Sequence, residues 1–293
     1  MLIESFLDYL RFERNYSEKT ILAYGNDLNQ LQVFIQKRFG KFAPEEVKSE
    51  QIREWIVLLM DDGCSPSSVN RKLSSIRSFY RFLLKKRYVD VDPLCKIVGP
   101  KKNKKLPYFL NEAQMDRLLD DADFGGGFNG CRDRLVIEMF YATGMRLSEL
   151  IELNDVDIDF SSSLLKVVGK RNKERLIPFG DELREQILKY IDIRDEAVLR
   201  TDDAFFVREN GKRLYPVLVY NIVKRNLSKV TTLKKKSPHV LRHTFATSML
   251  NHEAELGAVK ELLGHKSLAT TEIYTHVTFE ELKKVYKQAH PRA

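Results

Sequence analysis

The chain lacks several features that would have assigned it a class at once. Its longest apolar runs, such as Ile56 to Met60, fall far short of the roughly 18 to 20 residues that a membrane span needs, so no transmembrane segment is expected. Only three cysteines occur, Cys64, Cys95 and Cys131. Odd in number, widely spaced and without a CxxC pairing to histidine, they argue against a disulfide framework or a zinc site and for ordinary reduced thiols. There is no GxxxxGK[ST] phosphate loop and no cluster of carboxylates suited to two-metal catalysis, so neither ATP nor a metal cofactor is expected. Internal repeats and low-complexity tracts are missing too. Met1 to Glu13 carries Glu4 and Asp8 and has no basic stretch ahead of an apolar block, which predicts no secretory signal and a cytoplasmic location.

What is present describes a globular, basic chain. At 293 residues, 43% hydrophobic and 31% charged, it is too long and too apolar for a disordered, collagen-like or miniprotein class, and it suggests about two domains. Lys+Arg 49 against Asp+Glu 41 leaves +8, a balance that favours an anionic partner, with nucleic acid ahead of membrane lipid. The boundary falls in Gly99-Pro100-Lys101-Lys102-Asn103-Lys104-Lys105-Leu106-Pro107. Its two prolines and four lysines suit no packed element, and Lys101 and Lys102 could lie along a phosphate backbone. The expected division is 1–98, a basic linker 99–107, and 108–293.

The expected fold class is mainly α: an all-helical N-terminal domain followed by an α-rich domain with a small antiparallel β-sheet. Ser17 can cap a helix in which Ile21, Tyr24, Leu28, Leu31, Phe34 and Ile35 recur at three- and four-residue spacing. A second helix follows Ser65-Pro66, with Val69, Leu73, Ile76, Tyr80 and Leu83 as its apolar stripe. Its other face carries Asn70, Arg71, Ser74, Arg77, Ser78 and Arg81, a mixture of short polar and guanidinium groups able to read base edges and phosphates. A solvated face would serve the fold equally well. Beyond the linker, helices are expected at 111–120 and 132–141, with 148–153 continuing one, and at 181–199, 216–229 and 279–288. Between them Val156–Phe160, Leu164–Val168 and Arg175–Pro178 read as a short meander.

All six histidines lie between His239 and His290. In Pro238-His239-Val240-Leu241-Arg242-His243, positions 239 and 242 share one helical face, and Pro238 suits a helix start, where free N–H groups attract an anion. A phosphodiester clamp is one reading of that pair.

Together with this segment, four further motifs, Ala142-Thr143-Gly144-Met145-Arg146-Leu147-Ser148-Glu149-Leu150, Val168-Gly169-Lys170-Arg171-Asn172-Lys173-Glu174-Arg175, Leu263-Gly264-His265 and Tyr274-Thr275-His276, give the chain a close resemblance to tyrosine site-specific recombinases, and more narrowly to the Xer type that resolves chromosome dimers. The resemblance runs over almost the full length. It implies a core-binding domain ahead of a catalytic domain, and strand cleavage through a 3′-phosphotyrosine and a Holliday junction. By the same resemblance Tyr274 is the nucleophile, Arg146 and Arg242 hold the non-bridging phosphate oxygens, Lys170 is the general acid, and His239 and His265 complete the site. Glu149 is expected to orient its neighbours. His243, His252, His276 and His290 keep a structural reading. The implied partners are a double-stranded recombination site and three further subunits, identical or from a related recombinase, engaged through the helix at 279–288. A DNA translocase is a further partner that the resemblance raises. A mobile-element integrase, a type IB topoisomerase and a non-catalytic DNA-binding protein are the rival readings.

Overall fold

The structure is a computed structural model describing residues 2–101, 107–169, 173–264 and 279–292. Lys102, Lys170, His265, Ser267, Tyr274 and His276 lie outside the described residues. The chain separates into two compact units, Met1–Lys105 and Leu106–Ala293.

The first unit is built from α1 (Leu2–Asp8, continuing through a π-turn at Tyr9–Glu13), α2 (Glu18–Phe39), α3 (Ser49–Asp61) and α4 (Pro66–Lys85). Helix α4 is its axis. Ser65 accepts a hydrogen bond from the Ser68 N–H at 3.2 Å and Pro66 occupies the first helical position, so the start is set by a cap and a fixed φ. The stripe Val69, Leu73, Ile76, Tyr80 and Leu83 is fully buried, and Phe6 wedges against Phe79 and Phe82 with ring centroids 5.4 and 5.6 Å apart. Ser17 does stand at the N-cap of α2, but its hydroxyl pairs with Thr20 Oγ1 at 2.9 Å and makes no cap bond. The buried Asp27 of α2 accepts from Arg71 Nη1 and Nη2 at 2.5 and 2.8 Å, Lys72 Nζ at 3.3 Å and Ser75 Oγ at 2.5 Å, locking α2 to α4.

The second unit is organised around α6 (Gly127–Thr143), preceded by α5 (Glu112–Asp116). From Leu135 to Thr143 every residue of α6 is buried, so this part of the helix has no polar stripe and is packed on by α8 (Asp181–Ala197), α9 (Pro216–Val230) and α10 (Pro238–Asn251). Helix α5 is shorter than the sequence predicts. The α pattern gives way to a π-turn at Arg117–Asp121, which still buries Leu118 and Leu119. The expected run at 148–153 is a separate helix, α7 (Leu147–Glu152), because Gly144 takes a left-handed φ of 57° and ends α6.

Between α7 and α8 lies the expected meander, β1 (Ile158–Asp159), β2 (Leu164–Gly169) and β3 (Lys173–Pro178), antiparallel in the order β1-β2-β3. Val156 is not part of β1. It is 91% exposed in a 3-10 turn, Asp155–Asp157, closed when Asp157 accepts from the Asn154 N–H at 2.9 Å. In β2 and β3, Leu165 pairs with Ile177 and Val167 with Arg175, so Arg175 shares the inward face of the sheet.

Helix α11 (Leu256–Leu263) and α12 (Phe279–Ala289) complete the unit. Leu282, Tyr286 and Ala289 of α12 pack in one cluster with Phe245 and Met249 of α10, so in the single chain this helix lies on its own unit. The tail fastens it. His290 Nε2 meets the Tyr141 carbonyl at 3.2 Å, its ring stacks on Tyr286 at 5.2 Å, and Arg292 reaches Glu182, Asp116 and Asp120.

Burial first, and then the nearby Arg292, push the His290 pKa down to about 4, against an ordinary value near 6.5. The folded state therefore holds a neutral ring, and its contribution to stability is complete above pH 6.5, where the unfolded histidine is also neutral. As pH falls from about 6.5 to about 4 only the unfolded state gains the proton, so about 3 kcal/mol is lost across that window. The pH dependence of the denaturant midpoint of the second unit, followed by circular dichroism, should show this loss, and His290→Gln should flatten it. Trp55, the one tryptophan, is in the core of the first unit and reports that unit separately by fluorescence.

Candidate active site

The site grows from the end of α6. With Gly144 left-handed, the chain turns sharply and the Gly144 carbonyl accepts from Arg242 Nη1 at 2.5 Å. A Cβ at Gly144 would stand 2.4 Å from Phe245 Cδ1, so both conformation and space demand glycine there. Two residues on, Arg146 takes the N-cap position of α7. Arginine carries no acceptor, and the first-turn requirement is met from the other side: Glu149 Oε2 accepts from the Arg146 N–H at 2.7 Å.

Glu149 is almost wholly buried and accepts four hydrogen bonds. Oε1 takes Arg146 Nη1 at 2.7 Å and Arg175 Nη1 at 2.6 Å, while Oε2 takes the Arg146 backbone N–H and Arg175 Nη2 at 2.8 Å. Burial by itself would raise the Glu149 pKa. The hydrogen bonds and charge of Arg175, followed by the bonds from Arg146, outweigh it and hold the carboxyl below the ordinary range, so it is ionised at neutral pH.

Three guanidinium groups then converge on the carbonyl end of α11, which terminates at Gly264 with φ 63°. Arg175 Nε donates to the Leu262 carbonyl at 3.0 Å, Arg242 Nη2 to Leu263 at 2.5 Å and Arg146 Nη2 to Gly264 at 2.8 Å. A helix C-terminus presents unpaired carbonyls and the negative end of the dipole, which is why cations gather there. Around one carboxylate stand three fixed positive charges, a local excess of two. Burial first, then the charges of Arg146 and Arg175, lower the Arg242 pKa to about 10, so it keeps its charge at neutral pH. Each guanidinium has five N–H groups. Arg146 and Arg242 commit two side-chain nitrogens apiece to described acceptors, leaving donors for an oxyanion.

His239 opens α10 one turn before Arg242 and is exposed. Partial desolvation, then Lys235, Arg242, His243 and Arg146, lower its pKa, so at neutral pH it is an uncharged imidazole able to accept a proton. His243 is also exposed, whereas His252 is tied by Nδ1 to the Ser248 carbonyl at 2.9 Å. Among the described residues no group of three His, Cys, Asp or Glu could hold a metal.

In the first unit Asn70, Arg71, Ser74 and Arg77 line an open polar depression with Ser67 and Ser68. Several are already engaged: Arg71 with Asp27, Asn70 with the Pro66 and Pro100 carbonyls at 2.7 and 2.8 Å, and Arg77 with the Ile97 carbonyl at 2.7 Å. Ser78 is half-buried, and Arg81 and Lys101 are exposed.

Sequence reasoning missed Arg175. The signal was there: Arg175 has the strand parity of Ile177, so a charge was placed on the inward face, where it requires a partner. Glu149→Ala should leave two guanidinium groups without their carboxylate and cost the second unit about 3 to 5 kcal/mol. Glu149→Gln, which keeps the shape, should cost less; urea unfolding measures both.

Comparison with known proteins gives this site its context. Residues 108–281 match the phage integrase family and residues 3–87 match the phage integrase N-terminal SAM-like domain. A tyrosine recombinase XerC of Chlorobaculum parvum is 41% identical over 317 residues, covering 99% of this chain and 94% of that protein. A tyrosine recombinase XerD of Staphylococcus haemolyticus is 38% identical over 295 residues, covering 100% of this chain and 99% of that protein. In fold, the chain resembles the XerH site-specific recombinase bound to a palindromic difH substrate in a post-cleavage complex, with a TM-score of 0.75 at 22% identity over 96% of this chain and 83% of that one. Matched along both units, and by Xer relatives over nearly its whole length, the chain belongs to the phage integrase family and is a site-specific tyrosine recombinase of the Xer type.

Proposed function

We propose that this recombinase cuts and rejoins DNA by transesterification at one phosphate held between Arg146 and Arg242, and that it resolves chromosome dimers as part of a tetramer on two duplexes. The observation that carries the reading is the convergence of these two guanidinium groups on one helix end, with a local excess of positive charge and donors to spare.

The steps conserve phosphodiester energy. Tyr274 Oη attacks phosphorus, its proton passes to the neutral His239, and a 3′-phosphotyrosine forms as the bond to the 5′-oxygen breaks. Lys170 delivers a proton to that departing oxygen, and His265 adds a hydrogen bond to a non-bridging oxygen. An unassisted phenol, with a pKa near 10, needs such a base and such cations to react at neutral pH. The reverse reaction with a different 5′-hydroxyl joins the exchanged strand, and two rounds make and resolve a Holliday junction. Neither ATP nor a metal enters this balance.

Binding falls to the α4 face, with Asn70, Arg71, Ser74, Arg77, Ser78 and Arg81, and to Lys101 and Lys102 of the linker. Arg71 then serves twice, since it also fixes Asp27. Helix α12, seated on its own unit in the single chain, is the element that would reach a neighbouring subunit, identical or related. The positive excess of the chain supports a strongly salt-dependent affinity.

On a nicked duplex of the recombination site, the wild type should form an adduct that survives denaturant on a gel, and Tyr274→Phe should bind equally well without forming one. An adduct with the phenylalanine variant would reassign the nucleophile. Lys170→Ala should slow cleavage of a normal phosphodiester, and a 5′-thio leaving group, which needs little protonation, should restore it. Because the His239 pKa lies below the ordinary histidine value, the acid limb of single-turnover cleavage should have its midpoint below that of an ordinary histidine, and His239→Gln should remove that limb.

A further inference from the structure

We propose that Arg175 is a positioning residue for strand cleavage, whose charge neutralises Glu149 and so leaves the charge of Arg146 free for the phosphate. The inference rests on the reading that Arg146 holds a scissile phosphate, and it assigns work to a side chain whose three guanidinium nitrogens all have acceptors within the protein.

The argument begins with charge. Glu149 is buried and ionised, and it touches Arg146 through both a side-chain and a backbone hydrogen bond. Alone with Arg146 it would form a neutral pair, and the guanidinium would present little net charge to an incoming oxyanion. Arg175 changes this balance. It bonds the same carboxylate in a bidentate fork at 2.6 and 2.8 Å, so the three groups together carry one net positive charge.

Geometry then decides which of the two arginines offers that charge outward. The Arg175 side chain is 13% exposed and commits Nε, Nη1 and Nη2 to Leu262 and Glu149, whereas Arg146 is 32% exposed and commits its two Nη nitrogens to single acceptors. Arg175 is the inner, spent partner and Arg146 the outer, available one. Arg175 also acts on orientation. Four donors fill the four acceptor sites of the carboxylate, two of them from Arg175, so Glu149 is not free to swing and draw further N–H groups from Arg146. The Arg175 bond to the Leu262 carbonyl sets the same α11 end to which Arg146 and Arg242 are tied. A Cβ at Gly264 would stand 3.2 Å from Arg175 Cδ, so the arginine stem packs directly beneath this turn.

The test compares Arg175→Gln, Arg175→Lys, Glu149→Gln and the double variant Glu149→Gln/Arg175→Gln with the wild-type full chain. DNA binding is measured by gel retardation, and single-turnover cleavage is measured on nicked duplexes whose scissile group is a phosphodiester or an uncharged methylphosphonate. Arg175→Gln should bind like the wild type and cleave the phosphodiester about 10- to 100-fold more slowly, the scale of loss expected from a misplaced or cancelled contact. Its defect should shrink to a few-fold on the methylphosphonate, which makes less demand on a free charge. Arg175→Lys, which keeps the charge, should recover most of the loss. The double variant should cleave the phosphodiester as fast as Glu149→Gln and faster than Arg175→Gln, because no carboxylate remains to be neutralised.

An equal defect on both substrates, or a double variant slower than either single one, would overturn the proposal and leave Arg175 a packing residue. If Arg175→Gln fails to fold, the comparison of the double variant with Glu149→Gln still decides: equal rates support the proposal and a tenfold drop rejects it. Failure of the wild type to form any adduct would instead reject the recombinase site itself, an outcome separate from all of these.

Discussion

One buried carboxylate governs the second unit. Glu149 sits where the end of α6, the start of α7, strand β3 and the end of α11 meet, and it is tolerable there only because two guanidinium groups and a backbone amide fill its lone pairs. In a low-dielectric setting an ion pair of this kind is weak evidence for stability, since desolvation offsets much of the attraction. Its value lies in specificity. An arginine side chain has many rotamers, and a charge that must lie in a plane opposite a carboxylate has very few. The surplus of cations over anions then turns a structural network into an anion receptor.

The carbonyl end of α11 supplies the complementary constraint. Leu262, Leu263 and Gly264 each face a different arginine, from β3, α10 and the α7 cap respectively, so a single helix terminus aligns side chains from three distant parts of the chain. The first unit uses the same device in miniature: Asp27 gathers Arg71, Lys72 and Ser75 and fixes the register of α2 on α4. At the other end of the second unit the tail uses opposite chemistry. His290 is buried as a neutral ring between Tyr141, Phe245 and Tyr286, and Arg292 closes over three carboxylates.

Much of this is legible in the sequence. The α4 stripe, the Ser65-Pro66 start, the three-stranded meander and the helix opening at Pro238 follow from apolar periodicity and local backbone preference, which act over a few residues. The misses have local causes as well. The Ser17 hydroxyl pairs with that of Thr20, Val156 was drawn into an Asp157-closed turn, and the helix at 111–120 changes pitch at Arg117–Asp121, where two adjacent leucines are buried. Arg146, His239 and Arg242 were recognisable by motif; the structure ties the two arginines to the end of α11, and their charges reach His239. Arg175 stood inside a quoted motif without a role, because its partner Glu149 is 26 residues away in sequence and belongs to a different element.

By itself the chain's order of residues determined which elements form and which reactive groups are available, since periodicity, caps and side-chain chemistry are properties of short segments. Only the tertiary structure decided which charge cancels which. Electrostatic pairing depends on distances through space and on exclusion of water, and neither is written in the spacing of residues along the chain. Arg146 and Arg175 are chemically identical side chains donating to one carboxylate. Their unequal burial makes one an internal counter-ion and leaves the other facing outward.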